Sequence, residues 1–289
     1  ASTPRYVRNF YGLGNDTPEI DDRRERVDLA RVQIDAGFGG PLGQNLRFVA
    51  GPTVRYADVA RGDSGVVSPV DVLALTETDV FSPQVHAGAF GRVMLATAYG
   101  GPNPVQGFRL MASGAYRVGV TGAASNYGTV GGEAQAFFPI NYAPQLTLAL
   151  RAGADHRFGD FPFFDAAVVG GDGSLRGYRR ERFAGRTAAY AGAEVRAKLF
   201  RLDTYALPLT VGVLAFGDAG RVWSDDQTVT ICGIVSCGPE QVDPDAGSNL
   251  HFGYGGGLSF NALDRAILTL TVGRSSESTL VTFGTGFSF

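Results

Sequence analysis

The 289-residue sequence predicts an all-β fold, namely a transmembrane antiparallel β-barrel of about twelve strands. Apolar and polar residues alternate with a period of two through twelve successive runs, which gives each strand one apolar and one polar face. The connections between runs are mostly short at one end of the strands and long at the other, as in barrels that cross a membrane. The 41 glycines, 20 Phe and 11 Tyr favour many short strands and turns over long helices.

The first six runs fill the N-terminal half of the chain. In the second run, the apolar Val32 alternates with the polar Arg31 and Gln33. An acidic turn separates the first run from the second, and a proline-containing turn ends the sixth. By residue number, these runs are about 6–13, 30–38, 46–56, 85–95, 108–118 and 125–138.

The other six runs follow the same rule. In the seventh, which is the most regular, leucine occupies every second position from Leu146 to Leu150. A long segment rich in turn residues, Gly159–Gly185, separates it from the eighth, and the ninth holds Asp218. By residue number, the six runs are about 145–155, 193–199, 205–223, 250–260, 265–273 and 279–289.

Basic side chains dominate the polar face of the runs. A soluble β-sandwich would expose them on its outer surface, whereas a wide membrane barrel would turn them into a wet lumen. The loop lengths favour the barrel, and an even strand count would place both termini on the periplasmic side. The basic residues are Arg31, Arg47, Arg55, Arg92, Arg109, Arg117, Arg151, Arg196 and Lys198.

Two glycine-rich motifs stand out from this regular pattern. Gly170–Arg179 reads Gly-Gly-Asp-Gly-Ser-Leu-Arg-Gly-Tyr-Arg and lies in the long segment after the seventh run. A surface loop needs so many glycines around one arginine only where backbone must fit closely around that side chain. Phe216–Trp223 reads Phe-Gly-Asp-Ala-Gly-Arg-Val-Trp and lies inside the ninth run.

Together the two motifs resemble the signatures of the bacterial outer-membrane assembly-factor superfamily, which includes the BamA/TamA barrels and the two-partner secretion transporters. In that family, whose barrel is the bacterial surface antigen domain, a (Val/Leu)-Arg-Gly-(Phe/Tyr) loop folds into the lumen. Its arginine pairs with the aspartate of a Phe-x-Asp-x-Gly motif on the inner wall. The matching positions in this sequence are Leu175, Arg176, Gly177 and Tyr178, and then Phe216, Asp218 and Gly220.

The resemblance implies that the long loop is latched inside the barrel by Arg176 and Asp218. It also implies that Gly177 allows a tight turn and that Tyr178 packs near Phe216 and Gly220. We expect the lumen to hydrate the charged pair, so that its loss loosens the loop without unfolding the barrel.

The last eight residues carry a third resemblance, to the C-terminal signal of outer-membrane barrels. Gly284, Phe287 and Phe289 occupy the glycine and the two aromatic positions of that signal. We expect Phe287 and Phe289 to face outward into the interfacial aromatic girdle.

Cys232 and Cys237 lie in the long connection after the ninth run and are the two cysteines of the chain. An even number of cysteines in an oxidising compartment favours a local disulfide. A metal site would need further ligands nearby, and none stands out in the sequence. We therefore predict a disulfide and no metal site.

Charge and motif content argue against several other functions. A formal net charge of −3 gives no electrostatic reason to expect nucleic acid as a partner. The histidines accompany no Gly-x-Ser-x-Gly elbow, so we expect no catalytic residue, no enzyme activity and no cofactor. Glycine clusters within the runs precede no helix, which argues against a phosphate cradle.

The resemblance implies an integral outer-membrane barrel that assists membrane-protein assembly or transports a polypeptide or lipid. Its partners would be outer-membrane lipid and lipopolysaccharide, together with unfolded polypeptide clients. We expect one barrel domain, 1–289, without POTRA modules, and with seven strands before the arginine motif where familiar members have eleven. Two alternatives stay open, a passive pore or structural barrel and an excised barrel of a larger protein with a periplasmic enzyme domain.

Overall fold

Seventeen strands and one 3₁₀ turn, η1 Phe163–Asp165, form in the residues that the computed structural model describes. These residues are 5–17, 26–60, 81–98, 103–121, 124–140, 146–202, 208–224, 230–232, 237–239, 249–262 and 266–287. The strands are β1 Arg5–Asn9, β2 Arg26–Asp35, β3 Phe38–Pro41, β4 Leu46–Ala60, β5 Gln84–Ala96, β6 Gly107–Gly119, β7 Tyr127–Pro139, β8 Leu146–Gly159, β9 Ala167–Val169, β10 Phe183–Gly185, β11 Thr187–Leu202, β12 Leu209–Trp223, β13 Thr230–Cys232, β14 Cys237–Pro239, β15 His251–Ala262, β16 Ala266–Arg274 and β17 Thr279–Thr285.

Twelve strands follow one another in a single antiparallel wall, in the order β1-β2-β4-β5-β6-β7-β8-β11-β12-β15-β16-β17. The short β3 continues β2 along the same neighbour, since Asp35 lies opposite Thr53 and Phe38 lies opposite Ala50 on β4. The predicted fold, an antiparallel barrel with twelve wall strands, is confirmed.

The two faces of the wall differ as the alternation predicts. On β8, Leu150 is 38% exposed on the outer face while its neighbour Arg151 is 3% exposed on the inner face. On β11, the outer Val195 and the inner Arg196 show the same contrast. Apolar side chains therefore face the surroundings of the barrel, and the buried arginines face the lumen.

One end of the barrel carries the long connections, and we call it the loop end. The opposite end, where β7 joins β8 and β15 joins β16, is the turn end. The connection from β8 to β11, Asp160–Arg186, folds back into the barrel at the loop end, and we call it the lumen loop. Inside it, β9 and β10 pair with each other, with Val169 opposite Phe183.

The core lies inside the lumen at the loop end. One apolar cluster joins residues of the lumen loop, such as Phe163 and Phe164, to Leu29 and Val59 on the wall. A second cluster joins loop residues to Val222 on β12; its other members are Ala167, Val169, Leu175, Tyr178, Phe183 and Ala188. Because these side chains fill the space between the loop and the wall, burial holds the loop inside the barrel.

The first and last strands are shorter than the sequence predicts. The prediction that the first strand reaches Leu13 is wrong, because the ladder ends at Asn9. Phe10 and Tyr11 are 4% and 3% exposed, and Phe10 packs on Phe163 with ring centroids 4.7 Å apart. Burial against the lumen loop therefore draws these residues off the wall. The last strand ends at Thr285.

Candidate functional site: the anchored lumen loop

Arg176 of the lumen loop reaches Asp218 on β12 inside the barrel. Its Nε donates to Oδ2 of Asp218 at 2.7 Å and its Nη2 donates to Oδ1 at 2.9 Å, so the guanidinium binds the carboxylate with two parallel hydrogen bonds. The backbone N–H of Arg176 also donates to Oδ2 at 3.1 Å. This fork geometry is strong and directional.

A second carboxylate completes the site. Nη1 of Arg176 donates to Oε2 of Glu194 on β11, and Oε1 of Glu194 accepts a 2.7 Å hydrogen bond from Nε of Arg196. Asp218, Arg176, Glu194 and Arg196 therefore form a chain of alternating charge with two acids and two bases. We call Arg176 with Asp218 and Glu194 the Arg176 anchor.

The Arg176 anchor is buried, which corrects the expectation of a hydrated pair. The side chains of Arg176, Asp218 and Glu194 are 2%, 0% and 1% exposed. The ring of Phe216 covers the guanidinium of Arg176, and Leu175 and Tyr178, the neighbours of Arg176 in the chain, belong to a buried apolar cluster. Each charge has therefore lost its hydration and depends on its partners.

Small residues on the wall make room for the anchor. Phe216 lies opposite Gly255 in the register between β12 and β15, and its ring sits under the guanidinium of Arg176, 3.7 Å from Cζ to the ring centroid. Gly192 lies opposite Asp218, and a Cβ there would collide with the carboxylate of Asp218. The aromatic ring adds a cation–π contact to the salt bridges.

Gly177 turns the chain beside Arg176, as the motif implies. Its φ is +91°, and a Cβ there would lie 2.7 Å from the backbone carbon of Arg274 on β16. Both the left-handed backbone and the close approach require glycine.

Tyr178 and Gly220 both lie in the region that the lumen loop packs against. The ring of Tyr178 contacts Phe183 and His251, at centroid distances of 5.3 and 5.7 Å. Gly220 accommodates Val169, whose Cγ1 would be 2.9 Å from an added Cβ. The packing of Tyr178 near Phe216 and Gly220 stays a prediction; His251, which the Tyr178 ring contacts, lies opposite Gly220 in the register of β12 and β15.

A second charged contact holds the other half of the lumen loop. Asp165, at the end of η1, accepts from Nη1 of Arg55 and from the hydroxyl of Tyr127. Oδ1 of Asp165 also lies 3.2 Å from Nη2 of Arg31. We call Asp165 with Arg55, Tyr127 and Arg31 the Asp165 anchor.

The register explains why the wall presents these partners together. Arg55 on β4 lies opposite His86 on β5, and Tyr127 on β7 lies opposite Arg117 on β6. All four face the lumen near the loop end, and each is 6% exposed or less. The Asp165 anchor thus has the opposite polarity, with an acid on the loop and bases on the wall.

Phe287 lies inside the barrel, which corrects the expectation that it faces the girdle. The centre of the Arg196 guanidinium stands 3.9 Å from the Phe287 ring centroid. Gly286 has φ of +96°, and this left-handed residue reverses the alternation after Thr285. Gly284 lies opposite Thr269 in the last ladder, and Phe289 lies outside the described residues.

The cysteines belong to a short antiparallel pair. Cys232 on β13 lies opposite Cys237 on β14, and directly opposite residues in such a pair have Cα atoms close enough for a disulfide. The disulfide stays a prediction.

The described residues hold neither a candidate metal cluster nor a membrane-spanning helix. No group of three or more His, Cys, Asp or Glu side chains there could hold a metal ion. No helix in that part of the chain is long and apolar enough to cross a membrane.

Glu194 and Asp165 are the site residues that sequence reasoning missed. The alternation places Glu194 on the polar face of its strand, so it was a candidate for any lumenal arginine. Only the register between β11 and β12 brings it beside Arg176. Asp165 follows an aromatic run, Phe161–Phe164, with nothing in its own sequence to indicate a partner more than a hundred residues away.

Comparison with solved structures finds similar barrels. BamA from Haemophilus ducreyi lacking POTRA domains 1–3 has 13% identity and a TM-score of 0.67, over 98% of this chain and 57% of that chain. CdiB from Escherichia coli has 15% identity and a TM-score of 0.57, over 92% of this chain and 46% of that chain. CdiB from Acinetobacter baumannii has 14% identity and a TM-score of 0.51, over 91% of this chain and 43% of that chain.

The chain thus spans about half the length of the solved chains that it matches. No curated protein matches it. The model of the Omp85 superfamily domain matches residues 21–263, which include both anchors of the lumen loop. The chain therefore belongs to the Omp85 superfamily, and it is a bacterial outer-membrane β-barrel similar to those of BamA and CdiB.

Proposed function

We propose that this barrel inserts or translocates polypeptides at the outer membrane, with the anchored lumen loop as the element that its activity depends on. The observation that carries the proposal is the buried Arg176 anchor, whose three charged side chains are at most 2% exposed. Burying charges is costly, and an apolar replacement often serves stability as well or better. Selection for a loop position, rather than for stability alone, accounts for such an arrangement.

The packing of the lumen argues against the passive pore. Two apolar clusters fill the loop end, and the lumen loop supplies members of both. An open, water-filled channel would instead line its interior with polar groups. A barrel closed by its own loop fits a function in which the loop or the wall moves when a client arrives.

The partners follow from the two faces of the wall. The clients would be unfolded polypeptides, which enter from the periplasm. The outer face carries exposed apolar side chains such as Phe252, 61% exposed, and Tyr254, 59% exposed, and it would contact outer-membrane lipid and lipopolysaccharide. In this orientation the turn end and both termini are periplasmic and the loop end is external.

A liposome assay tests the proposal. The protein is reconstituted, a urea-unfolded client barrel is added, and client folding is followed by its heat-modifiable electrophoretic mobility. We expect faster client folding than in liposomes with an unrelated barrel at equal density, and loss of that gain in Arg176→Ala. Asp172→Asn, which changes an exposed charge in the same loop, is the control and should keep the gain.

A client rate equal to that of the unrelated barrel would remove the proposal. Planar-bilayer recording then separates the alternatives. A large, stable, ohmic conductance in the parent protein would favour the passive pore, whereas the proposal predicts a low conductance that rises when the Arg176 anchor is broken.

A further inference from the structure

The wall has two ends that need to be held together. Its ladder begins at β1 and finishes at β17, and no register pair between those two strands occurs among the described residues. Unpaired strand edges are unfavourable in a membrane, because lipid cannot satisfy backbone hydrogen-bonding groups. Contacts through the lumen loop offer a further way to hold the first strand and the last hairpin together.

Glu181 of the lumen loop holds the first strand. Its carboxylate pairs with Nε of Arg8 on β1, and the same arginine reaches the backbone carbonyl oxygen of Phe164. Glu181 has φ of +57° and is the one non-glycine residue with positive φ in the described part of the chain. Such a conformation is unfavourable for a residue with a side chain and persists where the surroundings over-determine it.

Arg182, the next residue, holds the last hairpin. Its Nε and Nη2 donate to the two carboxylate oxygens of Glu277, both at 2.8 Å, in the turn between β16 and β17. Its Nη1 and Nη2 also donate to the hydroxyl and the carbonyl oxygen of Thr17, at 2.8 and 2.6 Å, in the segment after β1. The side chain is 1% exposed.

Aromatic rings and hydroxyls surround this arginine. The guanidinium centre of Arg182 lies 4.8 Å from the ring centroid of Tyr11 and 4.7 Å from that of Phe183. The hydroxyls of Ser275 and Ser278 donate to the carbonyl oxygen of Gly177, at 2.8 and 3.0 Å. The last turn is thus attached to the lumen loop at several points, of which the salt bridge to Glu277 is the charged one.

We propose that Glu181 and Arg182 form a two-sided clamp that joins the first strand and the last hairpin of the barrel through the lumen loop. Glu181 and Arg182 are neighbours in the chain, with Cα atoms about 3.8 Å apart. The first strand and the last hairpin therefore cannot separate at the loop end unless one side of the clamp releases. The two adjacent side chains reach different strands, since Glu181 pairs with Arg8 on β1 and Arg182 with Glu277 beside β17. Salt bridges to the lumen loop therefore connect β1 and the β16–β17 turn, the two ends of the hydrogen-bonded ladder.

Distances between two nitroxide labels, measured by double electron–electron resonance, test the clamp in liposomes. Nitroxide labels are placed at Asn9→Cys and Thr279→Cys, the loop-end residues of β1 and β17, after both native cysteines are changed to serine. The parent should give one short, narrow distance distribution. Glu181→Gln and Arg182→Gln should each add a population longer by about 5 Å or more, the spacing of one strand.

Three further variants complete the experiment. Glu277→Gln keeps both loop residues and should give the same longer population. It takes the place of Arg182→Gln if that variant fails to fold, and heat-modifiable mobility reports folding. The charge exchange Arg182→Glu with Glu277→Arg should restore the short distance. Asp172→Asn should leave it unchanged.

An unaltered distribution in folded Glu181→Gln and folded Glu277→Gln overturns the clamp. The measurement needs no client, so it can fail while the barrel still accelerates client folding. Conversely, a barrel without insertion activity can still show the clamp.

Discussion

The two anchors of the lumen loop are built with opposite polarity. At the Arg176 anchor a loop arginine meets two wall acids, whereas at the Asp165 anchor a loop acid meets wall arginines and a tyrosine. Exchange of polarity fixes the loop in one orientation, because turning it over would bring like charges together. The anchors also differ in the second acceptor of the arginine, which is the carboxylate of Glu194 for Arg176 and the neutral amide oxygen of Gln33 for Arg55.

The largest effect is expected at the Arg176 anchor. Asp218→Ala leaves the buried Arg176 with Glu194 as its remaining acid, and we expect the free energy of unfolding to fall by about 3–5 kcal/mol. Urea titration in liposomes, read by heat-modifiable mobility, measures the loss. Adding Arg176→Ala should cost little more, because the two residues share one interaction. Strictly additive losses would contradict the pairing.

Gly177→Ala is expected to have the next largest effect. The backbone at φ of +91° and the contact with Arg274 should cost roughly 1–3 kcal/mol. Gly217→Ala is the matched control, since a Cβ at Gly217 would meet no atom within 4 Å. Equal stability of the two variants would show that the tight turn beside Arg176 is not required.

A loss of similar or smaller size is expected at the Asp165 anchor. Asp165→Asn removes the charge that Arg55 and Arg31 face, but Arg55 retains Gln33, so we expect about 1–3 kcal/mol. Hydrogen exchange measured by mass spectrometry distinguishes the anchors. Asp165→Asn should speed exchange around 160–168, and Asp218→Ala should speed it around 170–180. Loss of protection over the whole loop in both variants would mean that the anchors act as one unit.

The smallest effect is expected from Tyr127→Phe. This change removes one hydroxyl donor to Asp165 and keeps the ring against His86, so we expect a loss of about 0.5–1.5 kcal/mol. Thermal unfolding monitored by loss of β-sheet circular dichroism provides the measurement. A loss as large as that of Asp165→Asn would mean that the tyrosine, and not the arginines, supplies most of the stability of the anchor.

The wall of the barrel could be predicted almost completely from the sequence. Period-two alternation depends on neighbouring residues along the chain, so the twelve runs and their lumen-facing arginines were visible before any contact was known. The wrong predictions concern the ends of strands, where alternation no longer determines which way a side chain faces. Phe10 leaves the wall to pack on Phe163, and Phe287 turns inward after Gly286.

The partners of the site were predictable only in part. The pairing of Arg176 with Asp218 was predicted from the resemblance of their two motifs to the family signatures, and the two residues lie together. The burial of this pair away from water was not predictable, because it depends on how the lumen loop packs on several strands at once. Glu194 joins the Arg176 anchor because of the register between β11 and β12, and alternation does not determine that register.

The sequence by itself therefore determined the twelve-stranded wall and the side of each strand that faces the lumen, and its family resemblance indicated one charged pair. The tertiary structure decided which charges meet across the lumen, how completely they lose water and how the ends of the wall are joined. The physical reason is the range of the interactions. Alternation is local, whereas the ion pairs Asp165–Arg55, Arg182–Glu277 and Glu181–Arg8 join residues 95 to 173 positions apart.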